Sequence, residues 1–187
     1  MNDKQINILT RAVEVFSRYG FKKTTMGDIA DQAGISRQTL YASYKSKEEV
    51  MSAAMLFLTD KTILEIRAAW EAQDTLSEKI DTFYELLILA YYRAVQKMPD
   101  AEELLKGPES LGPETLKYAD NRKTELLEEL FVPYEAKFAA RGMTSKDYAD
   151  FFLKAAASFK FSSEDEAHLA RLLTSLKTAT ELMLIDS

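Results

Sequence analysis

The sequence contains no cysteine and only one histidine, His168, among its 187 residues. Without thiols there is no disulfide, no thiolate nucleophile and no Cys/His metal spacing. This usage is compatible with the cytoplasm. Glycine and proline are also scarce, six and four. That is too few turn points for a many-turned β-sandwich. No apolar run reaches the roughly 18 residues of a membrane span, so no membrane partner is expected. The polar opening Met1-Asn2-Asp3-Lys4-Gln5 leads into a helical pattern and does not read as a signal peptide. No glycine-rich phosphate loop is present. His168, beside Glu164, Asp165 and Glu166, reads as a solvated helical residue. An enzyme, a resident metal and a cofactor are therefore not expected.

What is present is helix. Hydrophobic residues make up 47% and charged residues 29%, as in an ordinary globular protein. Ile6, Leu9, Val13 and Phe16 form a one-sided stripe over about 3–19. Thr25 with Asp28, Ser46 with Glu49, Thr144 with Asp147 and Ser163 with Glu166 have the spacing of capping boxes. They predict helix starts near each of these positions. Residues from Ser46 to about Trp70 read as one long helix. Residues 77–97 are apolar on most sides, as in a buried helix. A short segment is expected over 99–105, then a loop bracketed by Gly107-Pro108 and Gly112-Pro113. A further helix should run to about Arg141 with a kink at Pro133. The expected fold is all-α: an N-terminal three-helix head over 1–46 and a helical bundle over 47–187, with about nine helices in all.

The net charge of -6 hides an asymmetry. Residues 1–50 hold eight Lys/Arg and six Asp/Glu, a net of +2. The remaining residues carry sixteen and twenty-four, a net of -8. A mildly basic head on an acidic body suits contact with a polyanion at the head alone. The segment Thr24–Tyr41 explains why. It reads as two short helices joined at Gly34, whose lack of a side chain allows the positive φ of a tight turn. Ala30 is small where the helices cross. Ile29, Ile35 and Leu40 face inward. Ser36 can cap the second helix and leaves Arg37, Gln38 and Thr39 at its exposed start, where a recognition helix meets base edges.

Tyr19-Gly20-Phe21, Thr24-Thr25, Asp28-Ile29-Ala30, Ala33-Gly34-Ile35-Ser36, Leu40-Tyr41, Tyr44 and Ser46-Lys47-Glu48-Glu49 together resemble the tetracycline-repressor (TetR) family of bacterial regulators. The resemblance covers about the first 55 residues. It implies a homodimer that binds double-stranded operator DNA and carries a small-molecule pocket in its body. It also implies that the last two helices of each subunit pair with those of a second copy. One departure is Ser43, where the family often has an aromatic residue or histidine.

Candidate DNA contacts are Thr25, Ser36, Arg37, Gln38, Thr39, Tyr41, Ser43 and Lys47. Arg suits guanine and Gln suits adenine in the major groove. Thr25 and Ser36 are helix caps first and phosphate contacts second. Lys47, a cation at a helix start, opposes the helix dipole, and a DNA phosphate would relieve that cost. Candidate effector contacts are Trp70, Phe83, Tyr84, Tyr91, Tyr92, Met98, Tyr118, Phe131 and Tyr134. Each competes with a plain core role, and together they suggest a hydrophobic or aromatic ligand. Candidate pairing residues are Phe151, Phe152, Ala155, Phe159, Leu169, Leu172, Leu173 and Leu176. A two-fold dimer would read a pseudo-palindrome with half-sites about 34–36 Å apart. The expected function is a ligand-responsive repressor. The alternative is a helical ligand-binding or scaffold module that does not bind DNA.

Overall fold

A computed structural model describes residues 1–99 and 112–184. The expected 99–105 segment and the Gly107-Pro108 loop fall outside them, apart from Pro99. The described residues are helical and contain no strand. In chain order the helices are α1 (Asp3–Tyr19), α2 (Met26–Gln32), α3 (Arg37–Ser43), α4 (Lys47–Trp70), α5 (Leu76–Phe83), α6 (Ala90–Gln96), α7 (Pro113–Phe131), α8 (Glu135–Ala139), α9 (Ser145–Ser162) and α10 (Glu166–Leu184). A π-helical turn, Tyr84–Leu89, joins α5 to α6, and a 3₁₀ turn, Val132–Tyr134, joins α7 to α8.

Sequence explains most of the ends. Asn2, Thr25, Thr75 and Thr144 each accept from the backbone N–H three residues on, and each is answered by a Gln, Asp or Glu at that position. These reciprocal bonds satisfy orphan donors of the first turn. Pro133 has no amide hydrogen to continue the helix, and the 3₁₀ turn forms around it. The last helix starts differently from the expected Ser163/Glu166 box. The Asp165 carboxylate accepts from His168 N at 2.7 Å. The Ser163 hydroxyl instead donates back to Phe159 O at 2.6 Å. His168 Nδ1 accepts from Glu164 N at 3.3 Å, a local helix-end role.

The chain divides into two compact units. The first comprises 1–58 and 94–119, the second 59–93 and 120–187. The core of the first is mainly aliphatic. Ile8, Leu9 and Ala12 of α1 pack with Ile29 and Ala30 of α2, Leu40 of α3, and Val50 and Ala54 of α4. The opening turns of α4 are thus part of this core, so packing of the head continues past residue 46. The second unit is centred on rings. Phe131 lies 5.2 Å from Tyr148, 5.4 Å from Phe152 and 6.0 Å from Phe138, all edge-on. Tyr84 stacks on Phe152 at 5.6 Å. Two bonds tie helices of this unit at its edges. The Trp70 indole donates to Lys79 O at 2.9 Å, and Arg67 holds Glu129.

Candidate nucleic-acid interface

The helix-turn-helix geometry is set by buried apolar contacts and one glycine. Ile29, Ala30 and Leu40 are fully buried. Gly34 has φ +68°, in the left-handed region that costs any residue with a Cβ about 1–2 kcal/mol. Ile35 N donates to Ala30 O at 3.0 Å and closes the turn. Asn7 of α1 donates to Ala33 O at 3.0 Å and fastens the turn from behind.

This scaffold leaves one face of α3 bare. Arg37, Gln38, Tyr41 and Ser43 are exposed and Thr39 is half-buried; Tyr41 is 52% exposed. Ser36 caps α3, accepting from Thr39 N at 3.1 Å, and its hydroxyl also meets that of Thr39 at 2.9 Å. Thr25 is exposed at the start of α2. Its hydroxyl donates to Asp28 at 2.7 Å. The hydroxyl and backbone N–H of Thr25 hold the Asp28 carboxylate below the usual range, with a smaller pull from the Arg37 charge.

Two of the basic candidates are engaged within the protein. The Arg37 guanidinium lies against Gly27, where a side-chain methyl would stand 2.5 Å from Nη2. Arg37 is therefore folded over α2 and does not extend from α3. Gly27 supplies the space, a non-local relation with no signal in sequence spacing. Lys47 is half-buried, and its ammonium donates to Phe21 O at 2.9 Å and to Lys22 O and Thr24 O at 3.2 Å.

The expected effector residues are distributed over both units. Met98 and Tyr118 belong to the first unit and the other seven to the second. Phe83 and Phe131 have no exposed surface and fill the ring core. Trp70 and Tyr92 are buried, Tyr134 and Met98 are half-buried, and Tyr118 is 46% exposed. Tyr84 is 4% exposed, yet its hydroxyl has no hydrogen-bond partner among the described residues. Burial pushes that phenol strongly upward. Glu181 Oε1 is likewise buried without a partner among them. Beside these, Tyr148 and Thr180 share a 2.7 Å hydroxyl bond. Tyr91 carries the Lys160 ammonium 4.4 Å from its ring centre. Burial pushes the Lys160 amine down to about 8, with Lys123 adding to the shift and Asp120 opposing it.

The expected pairing residues also divide. Phe152, Leu169 and Leu173 are buried within the unit, because α9 and α10 pack on each other and on α5 and the π-turn. They are therefore not on an open face. Phe151 remains 56% exposed, and Ala155, Phe159, Leu172 and Leu176 are half-buried. Leu182, not singled out in the sequence, is 58% exposed. No described helix is long and apolar enough to cross a membrane. No group of three or more His, Asp or Glu residues that could hold a metal occurs among the described residues.

Residues 8–54 match the family model of bacterial regulatory proteins, tetR family. The HTH-type transcriptional regulator YezE of Bacillus subtilis is 36% identical over 80 residues, covering 42% of this chain and 41% of that protein. YfiR of the same organism, also an HTH-type transcriptional regulator, is 43% identical over 47 residues, or 25% of this chain and 23% of that protein. The chain thus matches less than half the length of these curated relatives. Solved structures match far more of it. The fatty acid degradation regulator FadR from Bacillus halodurans aligns over 99% of this chain and 96% of its own, with TM-score 0.69 and 16% identity. A transcriptional regulator from Cytophaga hutchinsonii covers 99% and 98%, with TM-score 0.72 and 16% identity. At that identity the likeness establishes the fold: a helix-turn-helix head followed by a helical domain.

Proposed function

From a chain whose residues 8–54 belong to the bacterial tetR-family regulators, we propose a cytoplasmic repressor that binds a pseudo-palindromic operator as a homodimer and releases it when a small hydrophobic or aromatic effector binds. The observation that carries this reading is the exposed face of α3, with Arg37, Gln38, Tyr41 and Ser43 on a head whose turn is locked by Gly34 and buried apolar contacts. Gln38 reads a base edge directly. Arg37 swings out from Gly27 to reach a second, and Thr25, Ser36, Thr39, Tyr41 and Ser43 meet phosphates or groove walls.

The apolar residues left open on α9 and α10, exposed Phe151 and Leu182 and half-buried Leu172 and Leu176, support pairing with a second copy. Two-fold pairing matches a two-fold operator. Support for an effector comes from the second unit. A π-turn, a local helical form frequent at functional sites, begins at Tyr84, whose buried hydroxyl has no partner among the described residues. A buried polar group left unpaired is costly, and a ligand with a matching polar group would satisfy it. The effector acts by binding one arrangement of the dimer better than the other.

The test is selection of bound sites from random duplex DNA by the purified protein, repeated with candidate effectors. A two-fold motif that weakens when Arg37→Ala is substituted is expected, with discrimination at one base pair falling by about 1–3 kcal/mol. Absence of any gel shift at low and at high salt would leave the scaffold-module reading in its place.

A further inference from the structure

Lys47 occupies the first position of α4, where its charge opposes the helix dipole. An ammonium group has three N–H donors. Here three backbone carbonyls receive them: Phe21 O at 2.9 Å, and Lys22 O and Thr24 O at 3.2 Å. The Phe21 ring completes the seat, its centre 4.5 Å from Nζ. All of these atoms belong to the connection between α1 and α2, which leads into Thr25. The same connection is pinned at a second point, where the buried Thr24 hydroxyl donates to Gly20 O at 2.7 Å. Its neighbour on the other side, α4, is anchored in the first unit's core through Val50 and Ala54.

We propose that Lys47 is a positioning residue for DNA binding: by gathering the carbonyls of residues 21, 22 and 24 it fixes the start of α2, and with it Thr25, against α4, and it does not itself serve as a phosphate ligand. The three carbonyl dipoles supply the negative partner that its place at a helix start otherwise lacks. The proposal rests on the reading that the head binds duplex DNA.

The experiment measures binding of a short mixed-sequence duplex across a salt series for the full-length wild type, Lys47→Met and Lys47→Arg, with amide hydrogen exchange on each free protein. For Lys47→Met the expected affinity loss at fixed salt is about tenfold, the scale of one charge-assisted hydrogen bond. Its salt slope stays at the wild-type value, and amides of residues 21–25 exchange faster. Lys47→Arg, which keeps donors for the carbonyls, restores most of the affinity and protection. A slope lower by about one, with loop exchange unchanged, is the signature of a lost phosphate contact and overturns the proposal.

If Lys47→Met does not fold, the side-chain nitrogen resonance of Lys47 in the wild type decides. Slowly exchanging ammonium protons whose shift is unmoved by the duplex support the clamp. Rapid exchange and a duplex-dependent shift refute it. Wild type that binds no duplex at any salt removes the DNA reading itself, a result distinct from either slope.

Discussion

The two units solve the problem of burial with different materials. The first packs aliphatic side chains, Ile8, Leu9, Ile29, Leu40 and Val50 among them, around helices as short as seven residues. Helices of that length are marginal alone. The unit therefore relies on caps, a turn glycine and tethers such as Asn7 to Ala33 O and Lys47 to the carbonyls of residues 21, 22 and 24. The second packs large rings against one another on helices of five (α8) to nineteen (α7) residues, with Phe83, Phe131, Phe138 and Phe152 fully buried. The first unit thus fixes backbone geometry through many short polar contacts. The second obtains stability from volume and tolerates unpaired polar atoms at Tyr84 and Glu181. The proposed roles, a head that presents fixed groups to a duplex and a body that responds to a ligand, would call for this division.

The largest effect is expected at Phe152, which contacts the rings of Phe83, Tyr84, Phe131 and Tyr148. Phe152→Ala is expected to cost about 3–5 kcal/mol in urea denaturation. A loss near that of a surface substitution would mean the rings are not the core's main support. Next is Gly34→Ala, which forces a Cβ into a backbone with φ +68°. It should destabilise the head by about 1–2 kcal/mol and weaken duplex binding, read by calorimetry and gel shift. Nothing stands within 4 Å of the added methyl, so any effect comes from the backbone.

The smallest effect is expected at Lys160. Its folded-state amine titrates at about 8, below the ordinary 10.5, so burial opposes the charged form. The unfolded chain then binds more protons between those values, and stability contributed by this site rises with pH through that window. Lys160→Met should raise the urea midpoint at pH 7 and raise it less at pH 10. An equal gain at both pH values would show that the charge is not what the site resists.

Features governed by neighbours in sequence were legible before any coordinates. The Thr25/Asp28 and Thr144/Asp147 boxes, the turn at Gly34 and the break at Pro133 each depend on residues a few positions apart, and all are observed. Features governed by distant residues were not. The apolar residues of α9 and α10 read as one stripe each. Only packing against neighbouring elements, among them α5, the π-turn and α7, separates buried Phe152 and Leu173 from exposed Phe151. Arg37 on Gly27 and Lys47 on the carbonyls of residues 21, 22 and 24 join residues ten or more positions apart with no spacing rule to reveal them. The Ser163/Glu166 spacing suggested a cap, but Asp165 was a competing acceptor three residues before His168 and takes that role. The π-turn stayed hidden because Leu86, Ile88 and Leu89 lie in a nearly continuous apolar run, which carries no phase to distinguish one helical pitch from another.

That turn makes the stretch from Leu76 to Gln96 sensitive to length as well as composition. A π-turn is a helix carrying one residue more than regular winding needs. Removing any one residue from 84–89 would let ordinary winding resume and leave everything downstream in its present phase. Tyr92, now almost wholly enclosed, would stay on its buried side, whereas a residue lost between Leu76 and Phe83 would turn it by about 100°. A single-codon loss within the turn would therefore be absorbed, and the same loss in the regular helix before it would act as a change of phase for the remainder.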